Sequence, residues 1–451
     1  MMYRKIYQKL LEWKQRSQGR TSLLIEGARR VGKSYLATTF GQKEYRSCLV
    51  IDFNQAGKAV RELFLHYLDN LPEFFLRLPI LTGVPLYERE SLIVFDEVQM
   101  FPRARAALKY LVADGRYDYL ETGSLLSIKE NVRDIVIPSE EHAISLAPMD
   151  FEEYLLARNE AGMVDFLRKC HADQKSLGAA LHRKAMDLFR EYLIVGGMPQ
   201  AVETFLNQMD FAACDRVKRD ILQLYRNDIR KHSNGLAMNV EAIFDAIPAQ
   251  LQRHDRPFQL SALGTQARMR TYQDAFLWLQ DACIVNHAYL TTEPTLGLKM
   301  NLEQARFKCY MADTGLLISH SFDSNVLASN EVYRKLLYGR LGVNLGMVAE
   351  NIVAQTLHAN GHGLYFYSSN DRLDKENRME IDFLIAKPSL TSRHNICPIE
   401  VKSGKNYTTS SLRKFMAKYR QELHTPFVLH DGDYRVSDGI TYLPLYLAHL
   451  L

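Results

Sequence analysis

One octapeptide near the start of the chain constrains its fold more than any other feature. Residues Gly27-Ala28-Arg29-Arg30-Val31-Gly32-Lys33-Ser34 fit the pattern G-x-x-x-x-G-K-[ST] at every position. Glycines let the backbone aim successive N–H groups at an anion, and a helix that starts there presents its positive end to the same anion. The pattern needs a strand before it, and the apolar run Ser22–Glu26 supplies one. The octapeptide therefore predicts a phosphate-binding loop.

The residues of this loop have distinct expected roles. Lys33 is placed to reach the β- and γ-phosphates of a nucleotide, and the Ser34 hydroxyl is placed to ligate Mg²⁺. A chance match is the competing explanation, and the helical pattern after the loop argues against it. ATP with Mg²⁺ is therefore the expected ligand. The residues predicted to contact it are Gly27, Ala28, Arg29, Arg30, Val31, Gly32, Lys33, Ser34 and Tyr35.

An acidic motif supports the phosphate loop. The apolar run Leu92–Phe95 ends in Asp96 and Glu97. Asp96 is predicted to hold the Mg²⁺ ion, because an acid at a strand end beside a phosphate loop has this role. Glu97 is predicted to orient and deprotonate an attacking water as a general base. The alternative is an ordinary strand followed by solvated acids, and the phosphate loop upstream favours the catalytic interpretation.

A third polar segment follows Leu120. Thr122 and Ser124 are candidates to contact the γ-phosphate or the attacking water, although a plain turn also explains this segment when it is taken alone. Together the three elements resemble the AAA+ branch of P-loop ATPases, which place such a polar residue on the strand next to the acidic one. The resemblance implies an arginine supplied across a subunit boundary, and hence a homo-oligomer. The candidates, among which spacing does not choose, are Arg103, Arg105, Arg116 and Arg133.

Apolar periodicity divides the 451 residues into three parts. In the first, predicted as an AAA+-like domain at residues 1–155, continuous apolar runs alternate with helical segments. This pattern is typical of a parallel α/β sheet whose strands are buried on both faces. The predicted fold class is therefore α/β. The runs are Ser22–Glu26, Cys48–Phe53, Leu92–Phe95, Tyr117–Glu121 and Ala143–Leu146.

The middle part, residues 156–340, is mostly helical and contains a candidate winged helix. Phe258–Val285 is predicted to form helix, turn and helix, and the strand-like Asn286–Thr292 follows. The second helix of such a fold can enter the major groove of DNA. Positive charge near its start is limited to Arg268 and Arg270. The pattern therefore fits a structural or protein-contact domain as well as a DNA reader.

The last part, residues 341–451, places acids and a lysine on elements that can converge. Glu350 lies on a predicted helix and Asp382 in a predicted strand, whereas Glu400 and Lys402 share one face of the next strand. Such a set suits a divalent metal, a metal-activated water and a phosphodiester substrate. Glu350, Asp382 and Glu400 are thus the predicted metal ligands, and Lys402 is the predicted catalytic lysine. The alternative is an exposed strand face, but acids among so many apolar residues need a partner or a metal.

The order helix-Glu, strand-Asp, strand-Glu-x-Lys resembles the PD-(D/E)xK nucleases, which have the restriction-endonuclease-like fold. Over nearly its full length, the chain is similar to a large family of predicted prokaryotic AAA+-type ATPases with a C-terminal domain of unassigned function. The similarity implies the architecture and ATP binding rather than a pathway. It rests on the segments GARRVGKS, FDEVQMFPRAR, ETGS, PMDFEEYL, VGGMP, MADTGLL, GMVAENIVAQTL, MEIDFLI and PIEVKSG.

Composition adds only broad bounds. The formal net charge of +4 is compatible with nucleic acid but does not argue for it. Six cysteines are scattered without a C-x-x-C pair, which indicates a reducing compartment. No apolar stretch approaches the roughly 20 residues that a membrane span needs. These features predict a cytoplasmic protein without membrane association.

Two functional hypotheses follow. In the first, an ATPase is coupled to a nuclease-like domain that acts on or binds DNA, and the nucleotide state changes access to that domain. In the second, the protein is a nucleotide-gated switch or scaffold whose nuclease-like domain binds DNA or a protein partner without cleavage. Cleavage of DNA by the purified protein in the presence of Mg²⁺ or Mn²⁺ discriminates between them.

Overall fold

The computed structural model of the chain describes residues 2–123, 139–233, 235–253, 257–322, 331, 345–370, 374, 376–387, 395–404 and 406–451. The chain forms two compact units. The first unit comprises Tyr3–Ala147 together with Asp281–Cys283, and the second comprises Pro148–Gln280 together with Ile284–Leu451.

The first unit is built on a five-stranded sheet with the strand order β2-β3-β4-β1-β5, in which all pairings are parallel. Every residue of β3 and of β4 is buried, as expected of central strands that are covered on both faces. The predicted parallel α/β sheet is therefore confirmed. The strands are β1 (Ser22–Glu26), β2 (Ser47–Asp52), β3 (Ser91–Asp96), β4 (Asp118–Thr122) and β5 (Glu141–Ser145).

Helices alternate with these strands, as parallel pairing demands of the connections. The helix α4 shows how its ends are determined: the Asn70 side chain accepts a hydrogen bond from the backbone of Glu73, and Gly83 ends the helix in the left-handed region at φ 72°. The helices are α1 (Tyr7–Ser17), α2 (Lys33–Glu44), α3 (Lys58–His66), α4 (Leu71–Thr82) and α5 (Pro102–Asp114).

An aromatic cluster holds one side of this sheet in place. Phe53, Phe64 and Phe95 contact one another edge to face, with ring centroids 5.6 to 5.7 Å apart. This is the favoured geometry for aromatic pairs. All three side chains are fully buried. Because Phe95 directly precedes Asp96, the packing of the cluster also fixes the end of β3, where the predicted acidic pair lies.

The second unit contains helices and a mixed sheet. Its first helix, α6, begins with a capping box: the Asp150 side chain accepts a hydrogen bond from the Glu153 backbone, and the Glu153 side chain accepts one from the Asp150 backbone. The helices are α6 (Phe151–Ala157), α7 (Ala161–Ala172), α8 (Ala179–Val195), α9 (Pro199–Gln208), α10 (Phe211–His232), α11 (Ala237–Leu251), α12 (Met269–Asp281), α13 (Thr314–Ser321), α14 (Leu345–Ala359) and α15 (Ser410–Lys418).

Eight strands of this unit form a single sheet in the order β12-β13-β11-β10-β9-β8-β6-β7. The strands β8, β9 and β10 pair antiparallel, β11 pairs parallel with β10, and β6 joins the sheet by parallel pairing with β8. The strands are β6 (Val285–Thr291), β7 (Leu302–Met311), β8 (Tyr365–Ser369), β9 (Met379–Ala386), β10 (Ile396–Lys402), β11 (Phe427–His430), β12 (Arg435–Ser437) and β13 (Ile440–Pro444).

The segment predicted as a winged helix differs from that expectation. Between Phe258 and Val285 the structure has one α-helix, α12, preceded by a short 3₁₀ turn at Leu260–Ala262. The hairpin that follows belongs to the eight-stranded sheet. The domain boundary predicted between residues 340 and 341 stays a prediction, and strands from both sides of it share this sheet.

Candidate nucleotide-binding site

The octapeptide lies between β1 and α2, as the strand–loop–helix pattern predicts. Its backbone enters the left-handed region at Gly27 (φ 152°), Arg30 (φ 68°) and Gly32 (φ 98°). A side chain at Gly27 would collide with the carbonyl oxygen of Leu146, so only glycine fits there. Gly32 directly precedes α2, and the loop therefore lies at the positive end of a helix.

The Lys33 side chain is held against this loop. Its ammonium donates hydrogen bonds to the carbonyl oxygens of Gly27 (2.9 Å) and Ala28 (3.0 Å). Burial lowers the pKa of Lys33, and the negative charges of Glu97 and Asp96 oppose that effect only in part. Lys33 is therefore a buried cation within the loop that is predicted to receive phosphates.

Asp96 gathers two hydroxyl groups from neighbouring elements. The hydroxyl of Ser34, at the start of α2, donates to the Asp96 carboxylate over 2.8 Å. The hydroxyl of Thr122, at the end of β4, donates to the same oxygen. These residues meet because β4 lies between β1 and β3 and the three strands are parallel, so their carboxyl ends lie side by side at the same edge of the sheet. The structure thus brings together three residues that the sequence assigned to one site.

Glu97 follows Asp96 with an unusual backbone conformation. Its φ of 52° lies in the left-handed region, which few residues other than glycine adopt, and such strain is often found at functional sites. The Glu97 backbone N–H donates to the Thr122 hydroxyl over 3.4 Å. The Gln99 side-chain amide donates to the Glu97 carboxylate. Thr122 and Gln99 therefore orient the backbone and the side chain of the predicted base.

Gln99 is a site residue that the sequence analysis missed. It is buried and belongs to the 3₁₀ turn Val98–Met100, which directly follows the acidic pair. The signal for it was present, since a polar side chain stands two residues beyond Glu97 in an otherwise apolar segment. A residue at that spacing reaches back to Glu97 only because the chain turns sharply there.

Four other predicted contacts stay predictions. Arg29, Arg30 and Tyr35 are exposed, so their side chains project from the loop and from the first turn of α2. Ser124 lies outside the described residues.

Three of the four arginine candidates are already engaged within the first unit. Arg105 is buried and forms a bidentate pair with Glu141 at 2.7 and 2.9 Å. Arg103 donates to backbone carbonyls of α3, and Arg116 pairs with Asp114. Arg133 lies outside the described residues. Arg105 in particular has only 4% of its side chain exposed, which leaves little surface for contact with a neighbouring subunit.

Replacing Thr122 with valine is expected to lower the rate of the predicted ATP hydrolysis about 10- to 100-fold. Valine keeps the shape but removes the hydroxyl that contacts both Asp96 and the Glu97 backbone, and a hydrogen bond to a charged group contributes about 1.5–3 kcal/mol. Steady-state ATPase assays measure the change. Thr122→Ser, which keeps the hydroxyl, is the matched control, and equal losses in both variants would contradict the assigned role.

The predicted metal ligands of the second unit stay predictions, and the structure places them in two separate sets of contacts. Glu350 and Asp382 do converge, but on the ammonium of Lys308, at 3.7 and 3.9 Å. Glu400 instead accepts from the Leu412 backbone at the start of α15 and pairs with Lys402 at 3.4 Å. Among the residues that the structure describes, no group of three or more His, Cys, Asp or Glu side chains is arranged to hold a metal ion.

Other shared motifs of the second unit have structural roles. Gly196 ends α8. Gly197 donates its backbone N–H to Asp313 over 2.6 Å, and Asp313 also accepts from the Leu316 backbone as the cap of α13. A side chain at Gly196 would clash with Gly315. The segments VGGMP and MADTGLL therefore pack on each other.

Three family models match consecutive parts of the chain. Residues 19–155 match one described as AAA domain, residues 186–325 one described as Domain of unknown function (DUF8612), and residues 345–448 one described as Domain of unknown function (DUF4143). The first match confirms the predicted AAA-type P-loop ATPase class for the N-terminal part of the chain. No curated protein matches the chain.

Several solved structures are similar to the chain at low identity. The Walker-type ATPase PABY2304 of Pyrococcus abyssi is 14% identical, covering 71% of this chain and 96% of its own, with a TM-score of 0.41. The Aeropyrum pernix ORC1 protein in complex with DNA is 14% identical, covering 74% and 94%, with a TM-score of 0.28. Domain III of the Thermotoga maritima replication initiation protein DnaA is 14% identical, covering 49% and 94%, with a TM-score of 0.26. At these scores the likenesses carry no inference about function.

A search of the described residues finds no helix with both the length and the apolar character that a membrane crossing requires.

Proposed function

We propose that this protein binds ATP with Mg²⁺ at the loop Gly27–Ser34 and hydrolyses it. The observation that carries the proposal is the convergence of Ser34, Asp96, Thr122 and Glu97 beside a glycine-dependent loop that contains a buried lysine. Each of these groups has a place in phosphoryl transfer, in which positioning and charge stabilisation supply most of the catalysis.

The residues present fit a magnesium ion. A hydroxyl and a carboxylate 2.8 Å apart are the hard oxygen ligands that Mg²⁺ takes from proteins, along with waters and phosphates. Ser34 and Asp96 would hold the ion, which would neutralise charge on the phosphates when it is bound. The backbone N–H groups of the loop and the Lys33 ammonium supply the remaining positive charge toward the anion.

Glu97 is proposed as the general base. Its carboxylate accepts a hydrogen bond from Gln99, which limits the orientations that the side chain can adopt. A base that takes a proton from water must be held within hydrogen-bond reach of that water, so a fixed orientation favours the reaction. Thr122 couples this base to the Mg²⁺ ligand, since its hydroxyl contacts both Asp96 and the backbone of Glu97.

For the C-terminal half we favour binding without cleavage over a nuclease. The antiparallel strands β8, β9 and β10, followed by α15 and the parallel strand β11, agree with the order expected of a restriction-endonuclease-like fold. The acids, however, contact protein groups that compensate them. DNA as a partner, a protein partner, homo-oligomer formation and a cytoplasmic location stay predictions.

Lys33→Ala tests the proposed ATP site. The variant is expected to bind ATP about 10- to 100-fold more weakly, because it loses charge-assisted hydrogen bonds that contribute about 1.5–3 kcal/mol. Isothermal titration with ATP and Mg²⁺ measures the affinity, and a phosphate-release assay measures turnover. Lys43→Ala, an exposed lysine on the same helix, is the matched control. Unchanged affinity in Lys33→Ala would refute the assigned site.

A further inference from the structure

A buried lysine lies among the acids of the second unit. Lys308, on β7, has 4% of its side chain exposed. Its ammonium lies 3.0 Å from the Glu380 carboxylate, 3.7 Å from Glu350 and 3.9 Å from Asp382. These three carboxylates and the lysine are called the Lys308 cluster below. They come from three elements, β7, α14 and β9, so the cluster forms only when these elements pack together.

The acids of the cluster have further hydrogen-bond donors. The Tyr310 hydroxyl donates to Glu350 over 2.9 Å, and the Val401 backbone N–H donates to the second oxygen of Asp382 over 2.8 Å. Glu350, Asp382 and Tyr310 are all buried. Buried carboxylates that accept such bonds are held in fixed positions around Lys308.

The charges of the cluster depend on one another. Burial opposes the charge on Lys308, but the negative groups around it, Glu350 first, hold the pKa of Lys308 well above its ordinary value. Burial and the charge of Glu350 raise the pKa of Asp382, and Lys308 and Lys402 oppose that rise. The Lys308 ammonium lies within 4 Å of all three carboxylates and so occupies the cation position at their centre. A buried acid needs such a partner, since an uncompensated buried charge is strongly unfavourable.

We propose that the Lys308 ammonium is the resident cation of this cluster, in the place of the divalent ion that the sequence pattern predicts, and that the C-terminal half therefore does not cleave phosphodiesters. A divalent ion would need the same carboxylate oxygens at about 2.0–2.6 Å. It would then lie next to the ammonium and be repelled by it, because like charges at such short range in a buried site are poorly screened. The three acids are thus used internally, and the lysine contributes to folding rather than to catalysis.

Glu400 and Lys402 do not replace the missing ligands. The Glu400 carboxylate accepts from the Leu412 backbone over 3.1 Å, at the first turn of α15, where a negative charge stabilises the helix. Lys402 pairs with this same carboxylate at 3.4 Å. The Glu-x-Lys pair therefore joins β10 to α15.

The test measures Mn²⁺ binding by electron paramagnetic resonance, without nucleotide, in full-length protein that carries Asp96→Asn. That background removes the metal ligand of the first unit, so the result does not depend on the proposed ATPase. The parent protein is expected to have no Mn²⁺ site at the Lys308 cluster. Glu350→Gln should therefore leave its Mn²⁺ binding unchanged. Lys308→Met is expected to gain a Mn²⁺ site, and Mn²⁺ is expected to raise the Tm of this variant. Adding Glu350→Gln to Lys308→Met should remove the site. Arg306 is an exposed arginine on the same strand, and Arg306→Met is the control. This variant should gain no Mn²⁺ site.

Two outcomes overturn the proposal. The first is Mn²⁺ binding by the parent protein that Glu350→Gln abolishes, together with Mn²⁺-dependent cleavage of plasmid DNA, because the acids would then hold a metal beside Lys308. The second is a folded Lys308→Met variant that gains no Mn²⁺ site, because the lysine would then not occupy a cation position. If Lys308→Met does not fold, comparison of the parent with Glu350→Gln still decides between a resident lysine and a metal.

Discussion

Replacing Glu97 with glutamine is expected to lower kcat for ATP hydrolysis by about 10²- to 10⁴-fold, the range that a general base contributes. Glutamine keeps the size of the side chain but cannot take a proton from water. ATP affinity is expected to change little, because the groups proposed to hold the phosphates and the metal, Lys33, Ser34 and Asp96, remain in place. Single-turnover hydrolysis measures the first quantity, and isothermal titration measures the second.

The control for this variant is the same change at an exposed position. Glu90 lies on the surface of the first unit, where it pairs with Arg46. Glu90→Gln should leave both kcat and affinity unchanged. If Glu97→Gln hydrolyses ATP at the rate of the parent protein, Glu97 is not the base, and another acid or a substrate-assisted route must be sought.

Replacing Arg105 with methionine is expected to destabilise the first unit by about 3–5 kcal/mol, the loss typical when one partner of a buried ion pair is removed. Arg105 is compensated by Glu141 at 2.7 Å, and Glu121 lies 3.9 Å away. Burial and the charge of Glu141 already raise the pKa of Glu121 well above its ordinary value, so this acid tends to remain protonated. Without the guanidinium, Glu141 is left as a buried charge without its cation.

Urea unfolding monitored by tryptophan fluorescence measures this change. The chain has two tryptophans, one in each unit, so a Trp278→Phe background leaves Trp13 as a reporter of the first unit. Lys109 is an exposed lysine on the same helix, and Lys109→Met is the control. This change should alter the free energy of unfolding only slightly. An Arg105→Met variant as stable as this control would show that the pair contributes nothing, and would return Arg105 to the set of arginines available to a neighbouring subunit.

Local patterns predicted much of the first unit. The strand Ser22–Glu26 has the predicted limits, and the other four strands lie within two residues of them. The phosphate loop could be predicted because its backbone geometry requires glycines. The acidic pair Asp96 and Glu97 could be predicted because the two acids follow directly after a buried apolar strand. In the second unit, Glu350 lies on a helix and Asp382 in a strand, as predicted.

Contacts between distant segments were not predicted. Lys308 is 42 residues from Glu350 in sequence, and nothing near it in the chain marks it as the partner of buried acids. The Gln99 contact depends on a sharp turn after β3 that periodicity does not show. The order Glu, Asp, Glu-x-Lys indicated that acids converge, which Glu350 and Asp382 do, but residue order alone does not distinguish a metal from a lysine as the cation between them.

The winged-helix prediction is not confirmed, for a related reason. A helix followed by a β-hairpin is common to many folds, and α12 with β6 and β7 has that local form. Which fold the hairpin belongs to depends on its next neighbour, and the parallel pairing of β6 with β8 joins it to strands that follow more than 70 residues later. Such a pairing has no local signature.

The eight-stranded sheet also bears on how this part of the chain is inherited. Two family models meet between residues 325 and 345, yet β6 and β7 lie on one side of that junction and β8 to β13 on the other. A recombination event that exchanged one segment alone would leave β8 without a partner on one edge and would separate Lys308 from Glu350, Glu380 and Asp382. We therefore expect the two segments to be inherited together, and Lys308 and the three acids to be conserved or replaced together.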